Sequence, residues 1–144
     1  MIVAFFGHSN YVEGQNDEKN LINTLSEYAE NKKVEFYLGG YGNFDNFALR
    51  CCNKYKMINE NATTIYVSPY LTASTKLTIA KENYDEIIYP PIEAVPQKYA
   101  ITKRNEWIVS VADLIVFNVN YKFGGAYNAY LHAKRKGKLI VDFK

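Results

Sequence analysis

The chain has 144 residues, 48% of them hydrophobic and 22% charged, with a net charge of +2 at pH 7. This balance excludes a disordered polar tail and is enough for one domain with a real core. The small positive charge does not by itself argue for nucleic acid, and the apolar runs are strand-sized, far short of a membrane span.

Taken in chain order, short apolar runs alternate with segments of helical period. Ile2 to Phe6 reads as a buried strand ending at Gly7-His8-Ser9-Asn10. From Asn16 to Glu30, Leu21, Ile22, Leu25, Tyr28 and Ala29 share one helical face, with Asn16 or Asp17 as the expected cap. Val34 to Leu38 is the second strand, and Phe44 to Met57 a helix carrying Phe47, Ala48 and the adjacent Cys51 and Cys52. Thr63 to Val67 is a β-branched third strand. It ends at Ser68-Pro69-Tyr70-Leu71, and a long polar stretch follows.

Glu86 to Tyr89 makes a short fourth strand broken by Pro90-Pro91. A helix is expected from about Pro96 to Val111, with Ile101, Trp107, Ile108 and Val111 turned inward. Ala112 to Phe117 is the fifth strand, Ala126 to Lys136 the last helix, and Leu139 to Phe143 the final strand. Strands that alternate with helices and are apolar on both faces imply a parallel sheet covered on both sides. The loops starting at Gly7, Gly39, Ser68 and Asn118 are then expected to converge on the rim where such sheets bind ligands.

Two glycine turns carry the chemistry. Gly39-Gly40-Tyr41-Gly42-Asn43 follows the second strand and Gly124-Gly125-Ala126-Tyr127-Asn128 follows the fifth, each leading into a helix. Glycines there let backbone N–H groups approach a phosphate, and the helix N-terminus adds partial positive charge. The plainer alternative is a tight strand-to-helix turn. Asn43 and Asn128 are either helix caps or ligand contacts, and His8 either polarises a ligand or bonds to backbone. Tyr41, Tyr70 and Tyr127 are candidates for stacking on a base.

Lys134, Arg135, Lys136 and Lys138 complement a helix dipole. Adjacent cysteines and two histidines do not make a metal site, so no metal and no cofactor are expected. Met1 leads straight into a strand, and the expectation is a cytoplasmic chain without a signal peptide.

The block Val3 to Ser9, the block Phe36 to Asp45, the helix Arg104 to Asp113 and the block Phe123 to Asn128 together resemble, in order, the SLOG superfamily. That group includes the LOG (lonely guy) phosphoribohydrolases. The resemblance implies a single-domain Rossmann-like α/β fold, an open parallel sheet with helices on both faces, over residues 1–144. It most resembles a single-domain bacterial or phage branch. In the LOG enzymes the second motif runs Pro-Gly-Gly-x-Gly-Thr-x-x-Glu, and the Glu works with an Arg on an N-glycosidic bond. Here the proline position holds Phe123, the third glycine Tyr127, the threonine Asn128 and the glutamate Leu131, while Arg104 matches the Arg.

Such cleavage ordinarily needs a carboxylate. Asp45 or Glu106, with Arg104, are the candidates if the chain is a hydrolase or transferase. The favoured expectation is binding without turnover of a nucleotide or nucleotide-derived signal, such as a cyclic ADP-ribose isomer, by a sensor or sequestering protein. The ligand set expected is Gly7, His8, Ser9, both glycine turns, Asp45, Pro69, Tyr70, Arg104 and Asn118. The resemblance also implies a homodimer or larger assembly. Neither a membrane nor nucleic acid is an expected partner.

Overall fold

A computed structural model describes residues 1–70, 75–92 and 95–143. Leu71 therefore lies outside the described residues. Eleven elements alternate along the chain: β1 Ile2–Gly7, α1 Asp17–Ala29, β2 Val34–Leu38, α2 Asn43–Tyr55, β3 Ala62–Val67, α3 Thr75–Asn83, β4 Glu86–Ile88, α4 Gln97–Val111, β5 Leu114–Asn118, α5 Gly125–Arg135 and β6 Ile140–Asp142. The six strands form one parallel sheet in the order β4-β3-β2-β1-β5-β6. This is a Rossmann-like α/β arrangement. Strand order reverses between β1 and β5, so the ligand crevice of such a sheet is expected over those two C-terminal ends.

Period-two alternation sends successive strand residues into two cores. Val3, Phe5, Phe36, Leu38, Leu114 and Val116 pack with Leu21 and Leu25 of α1 and with Phe44, Phe47, Cys51 and Cys52 of α2. Ala4, Phe6, Tyr37, Ile65, Val67, Ile115 and Phe117 pack with Ile108 and Val109 of α4 and with Ala129 and Ala133 of α5. Burial pushes the Cys51 thiol up to about 12 and raises the Cys52 thiol well above its ordinary value, so both cysteines behave as small apolar core residues.

Three expectations are corrected. The polar stretch after β3 includes a helix, α3, whose Leu77 and Ala80 pack on Tyr66. Ile101 does not point into the core, being 43% exposed. The inward row of α4 is Ala100, Arg104 and Ile108, with Trp107 half-buried and stacked on Tyr37 at 6.0 Å between ring centroids. Finally, the N-caps of α2 and α5 are Gly42 and Gly124, not Asn43 and Asn128, and neither cap uses a side chain. Asn16 caps α1 without a side-chain bond, and Asp17 instead accepts from Gly14 N at 2.7 Å and from the Tyr11 hydroxyl.

Candidate functional site

The two glycine turns end in the same backbone geometry. Gly42 has φ 91° and ψ 174°, and Gly124 has φ 93° and ψ 174°, a combination that side chains other than glycine's scarcely adopt. Each sends a helix N-terminus toward the C-terminal rim of the sheet. Their surroundings differ completely.

At the first turn the protein fills the space itself. A Cβ on Gly42 would lie 2.6 Å from the Ser9 Cα, one on Gly40 2.7 Å from the Tyr66 ring, and one on Gly39 2.9 Å from Arg104 Nη2. The Asn43 amide donates to Ser9 O at 3.0 Å, and the Tyr41 amide donates to Asp45 Oδ2 at 2.9 Å. Amides engaged in this way are not available to a ligand without a rearrangement.

Around the second turn the space is open. A Cβ on Gly124 would meet nothing within 4 Å, and one on Gly125 only Asn105 Nδ2 at 3.9 Å. Gly124 and Gly125 are exposed. The first-turn amides of α5 have no helical acceptors of their own, as at any helix start.

Gly124, Gly125 and Ala126 form one wall of a cleft of about 350 Å³ over the β1 end. Phe5, Phe6, Gly7, His8 and Ser9 from the end of β1 also line it, as do Gly39, Tyr41, Asp45, Arg104 and Asn105. Ile101 and Tyr121 complete it. The cleft therefore sits on the β1 side of the point where strand order reverses.

Arg104 is only 4% exposed. Its Nη1 donates to Gly39 O at 3.3 Å and Val67 O at 3.0 Å, and its Nε to Asn105 Oδ1 at 3.0 Å. It thus ties the C-terminal ends of β2 and β3 together. Burial lowers its pKa while the Asp45 carboxylate raises it, and a guanidinium stays protonated under either influence. Asp45, 7% exposed, lines the same cleft. The cleft thereby holds a buried cation, a carboxylate and a helix N-terminus.

His8 is buried, and its Nε2 accepts the Asn120 amide at 2.9 Å. A ring nitrogen that accepts is unprotonated, which puts the proton of the neutral imidazole on Nδ1. Burial also lowers its pKa. The ring stacks on Tyr121 with centroids 3.5 Å apart and an interplanar angle of 12°, and Tyr121 in turn lies 4.3 Å from Phe123.

Of the residues singled out from the sequence, Gly7, His8, Ser9, Gly39, Tyr41, Asp45, Arg104, Gly124, Gly125 and Ala126 come together in this cleft. Gly40 lines a separate groove between α2 and α3. Gly42 and Asn43 are engaged with Ser9. Asn118 is buried with its Nδ2 on Phe143 O at 2.9 Å, and lines a second cavity next to the cleft. Pro69, Tyr70, Tyr127, Asn128, Leu131 and Glu106 do not line the cleft. Glu106 faces Lys103 at 3.9 Å.

Tyr121, Asn105 and Ile101 line the cleft without having been singled out for it. The one sequence signal that could have found Tyr121 is its place in the loop directly after the fifth strand. Among the described residues no cluster of His, Cys, Asp and Glu is suited to a metal, and no helix is long and apolar enough to cross a membrane.

No protein-family model matches the chain, and no curated protein matches it in sequence. Several solved structures share its fold. DNA processing protein A from Helicobacter pylori, described for its single-stranded DNA binding mode, is 17% identical with a TM-score of 0.65, over 97% of this chain and 63% of that one. DNA processing protein A from Streptococcus pneumoniae is 16% identical with a TM-score of 0.65, over 96% of this chain and 48% of that one. The molybdenum cofactor carrier protein from Chlamydomonas reinhardtii is 12% identical with a TM-score of 0.53, over 96% of this chain and 74% of that one. The chain thus spans less than two thirds of either DNA processing protein. Likeness at these identities is likeness of fold.

Proposed function

We propose that this chain is a single SLOG-type domain that binds a nucleotide or nucleotide-derived phosphate in the cleft over β1, and holds it without turning it over. The observation that carries the reading is the open N-terminus of α5 at Gly124–Ala126, lining the same cleft as the buried Arg104. Open helix-start amides and a nearby cation suit an anion. The ordered resemblance to the superfamily supports a nucleotide over a bare anion. Leu131 in place of the family's glutamate supports binding over hydrolysis. On this reading the protein is a sensor or a sequestering protein in the cytoplasm of a bacterial or infected cell, acting as a homodimer or larger assembly.

Calorimetric titration with adenosine monophosphate and ribose 5-phosphate tests it. Both are expected to bind, and a ligand at 100 times its dissociation constant raises stability by about 2.7 kcal/mol. Failure of every phosphate ligand to bind or to stabilise the chain would overturn the reading.

A second reading rests on Asp45, a carboxylate lining the same cleft as Arg104. With Arg104 on the phosphate, Asp45 would activate water for N-glycosidic cleavage. Recovery of intact adenosine monophosphate after long incubation supports binding; release of free adenine supports the enzyme. The Helicobacter neighbour weighs against leaving nucleic acid out, and the exposed Phe123 beside Tyr121 would suit a further base. Single-stranded DNA is therefore a third titrant. If the strand binds, its affinity falls steeply with salt.

A further inference from the structure

The wall made by His8 and Tyr121 has a second side. Beyond the stacked pair lies a cavity of about 420 Å³, lined by His8 and Tyr121 together with Asn10, Asn118, Asn120, Asp17, Tyr11 and Val12. Gly7 and Asn118 are register partners in the sheet, so this cavity and the phosphate cleft flank the same β1–β5 crevice. Each volume lies within the range of small-molecule sites, about 300–1,000 Å³.

The two compartments differ in kind. The cleft holds Arg104 and the α5 N-terminus, whereas among the described residues lining the second cavity there is no Lys or Arg. The second cavity holds three carboxamides and a carboxylate, a set that repels a phosphate and suits an uncharged group with both donors and acceptors.

Two of the polar contacts inside it are also loose. Asn120 Nδ2 approaches Asn118 Oδ1 at 3.5 Å, and the Tyr121 hydroxyl approaches Asn10 Oδ1 at 3.3 Å. Both exceed ordinary hydrogen-bond lengths, so a ligand can replace them with shorter bonds at little cost. Asp17 is different, since it is already held by Gly14 N at 2.7 Å and by Tyr11. Asn118 is also held, its Nδ2 donating to Phe143 O at 2.9 Å, so the reading of a ligand falls to Asn10 and Asn120.

We infer that this carboxamide compartment reads the base of the nucleotide whose phosphate occupies the cleft, with Asn10 and Asn120 as the specificity-determining residues. The inference rests on the proposed phosphate site. On this arrangement the His8–Tyr121 pair is the partition over which the ligand lies, and the half-buried Tyr121 is its outer edge. Carboxamides discriminate bases by pairing donors with acceptors, and a mismatched base leaves a buried polar group unpaired.

Calorimetric titration of the full chain with ribose 5-phosphate and with adenosine, guanosine, cytidine and uridine monophosphates tests this. The wild type is expected to separate its best base from its worst by about tenfold or more in affinity. In Asn10→Ala/Asn120→Ala the four mononucleotides converge to within about threefold, while ribose 5-phosphate binds as before, which also shows that the variant is folded. Asn120→Asp exchanges a donor for an acceptor and re-orders the base preference. Base-independent binding in the wild type, or a preference that survives both substitutions, would overturn this inference and leave the phosphate site standing. Failure of ribose 5-phosphate and all four mononucleotides to bind would overturn both.

Discussion

Gly42 and Gly124 differ by 2° in φ and share the same ψ, yet the protein's own atoms crowd the first while the second has open space beside it. The first turn is closed by Ser9, Tyr66 and Arg104, and its Tyr41 and Asn43 amides donate to partners within the chain. The second has empty space where a side chain would begin. A glycine motif is a statement about backbone conformation. Whether that conformation meets a ligand or its own neighbours depends on what the fold brings alongside.

The largest difference is expected when both caps receive the same substitution. Gly42→Ala adds a methyl 2.6 Å from backbone in a conformation alanine resists, and is expected to cost more than about 3 kcal/mol. Gly124→Ala carries the conformational strain alone, about 1–3 kcal/mol. Urea unfolding of the two variants checks this; equal losses would mean that the first turn is as open as the second.

Arg104→Met comes next. It leaves Gly39 O and Val67 O without their charged donor and the Asp45 carboxylate without its buried cation, for a loss of about 3 kcal/mol in ligand-free protein. A variant of wild-type stability would show that Arg104 serves only a ligand.

Gly125→Asp separates stability from binding. Its Cβ has room, and an acid at a helix start stabilises by about 0.3–1 kcal/mol. The same carboxylate repels a phosphate, so affinity for ribose 5-phosphate is expected to fall by about tenfold or more. Asn43→Asp, at the matching position of α2, is expected to leave that affinity within about twofold. Calorimetry on both variants reads the difference.

The smallest effect is on pH dependence. The His8 pKa is lowered by burial, and its Nε2 accepts the Asn120 amide. The unfolded chain therefore binds the proton more tightly. The contribution of His8 to stability is complete above its unfolded pKa of about 6.5 and is lost as pH falls through the lowered folded value. Unfolding curves between pH 7.5 and 5 are expected to show this decline, and His8→Gln to lack it.

The alternation of strands and helices was legible because both faces of the sheet are covered, leaving apolar runs at β1, β2, β3 and β5 that no loop imitates. Helix α3 escaped because its described buried side chains are only Leu77 and Ala80, with Ile79 exposed, so no apolar stripe marks it. Ile101 was misjudged for a related reason. Helix α4 carries apolar residues around most of its circumference, and only the packing shows that Arg104 takes the inward place.

At the site, the loops after β1, β2 and β5 were legible from the strand ends they follow. The filling of the first turn was not, because it comes from Ser9, Tyr66 and Arg104, which are remote from it in sequence. Tyr121 was missed in favour of Tyr70 and Tyr127, since its place against His8 depends on the β1–β5 pairing that brings residues 8 and 121 together.

On the proposed reading the second turn, and not the first, holds the anion. Backbone amide chemical shifts during titration with ribose 5-phosphate report on each turn separately. Saturable shifts at Gly124, Gly125 and Ala126, larger than any at Tyr41 and with the Asn43 amide still, are the predicted result. Shifts confined to Tyr41–Asn43, or no saturable shift at either turn, would contradict it.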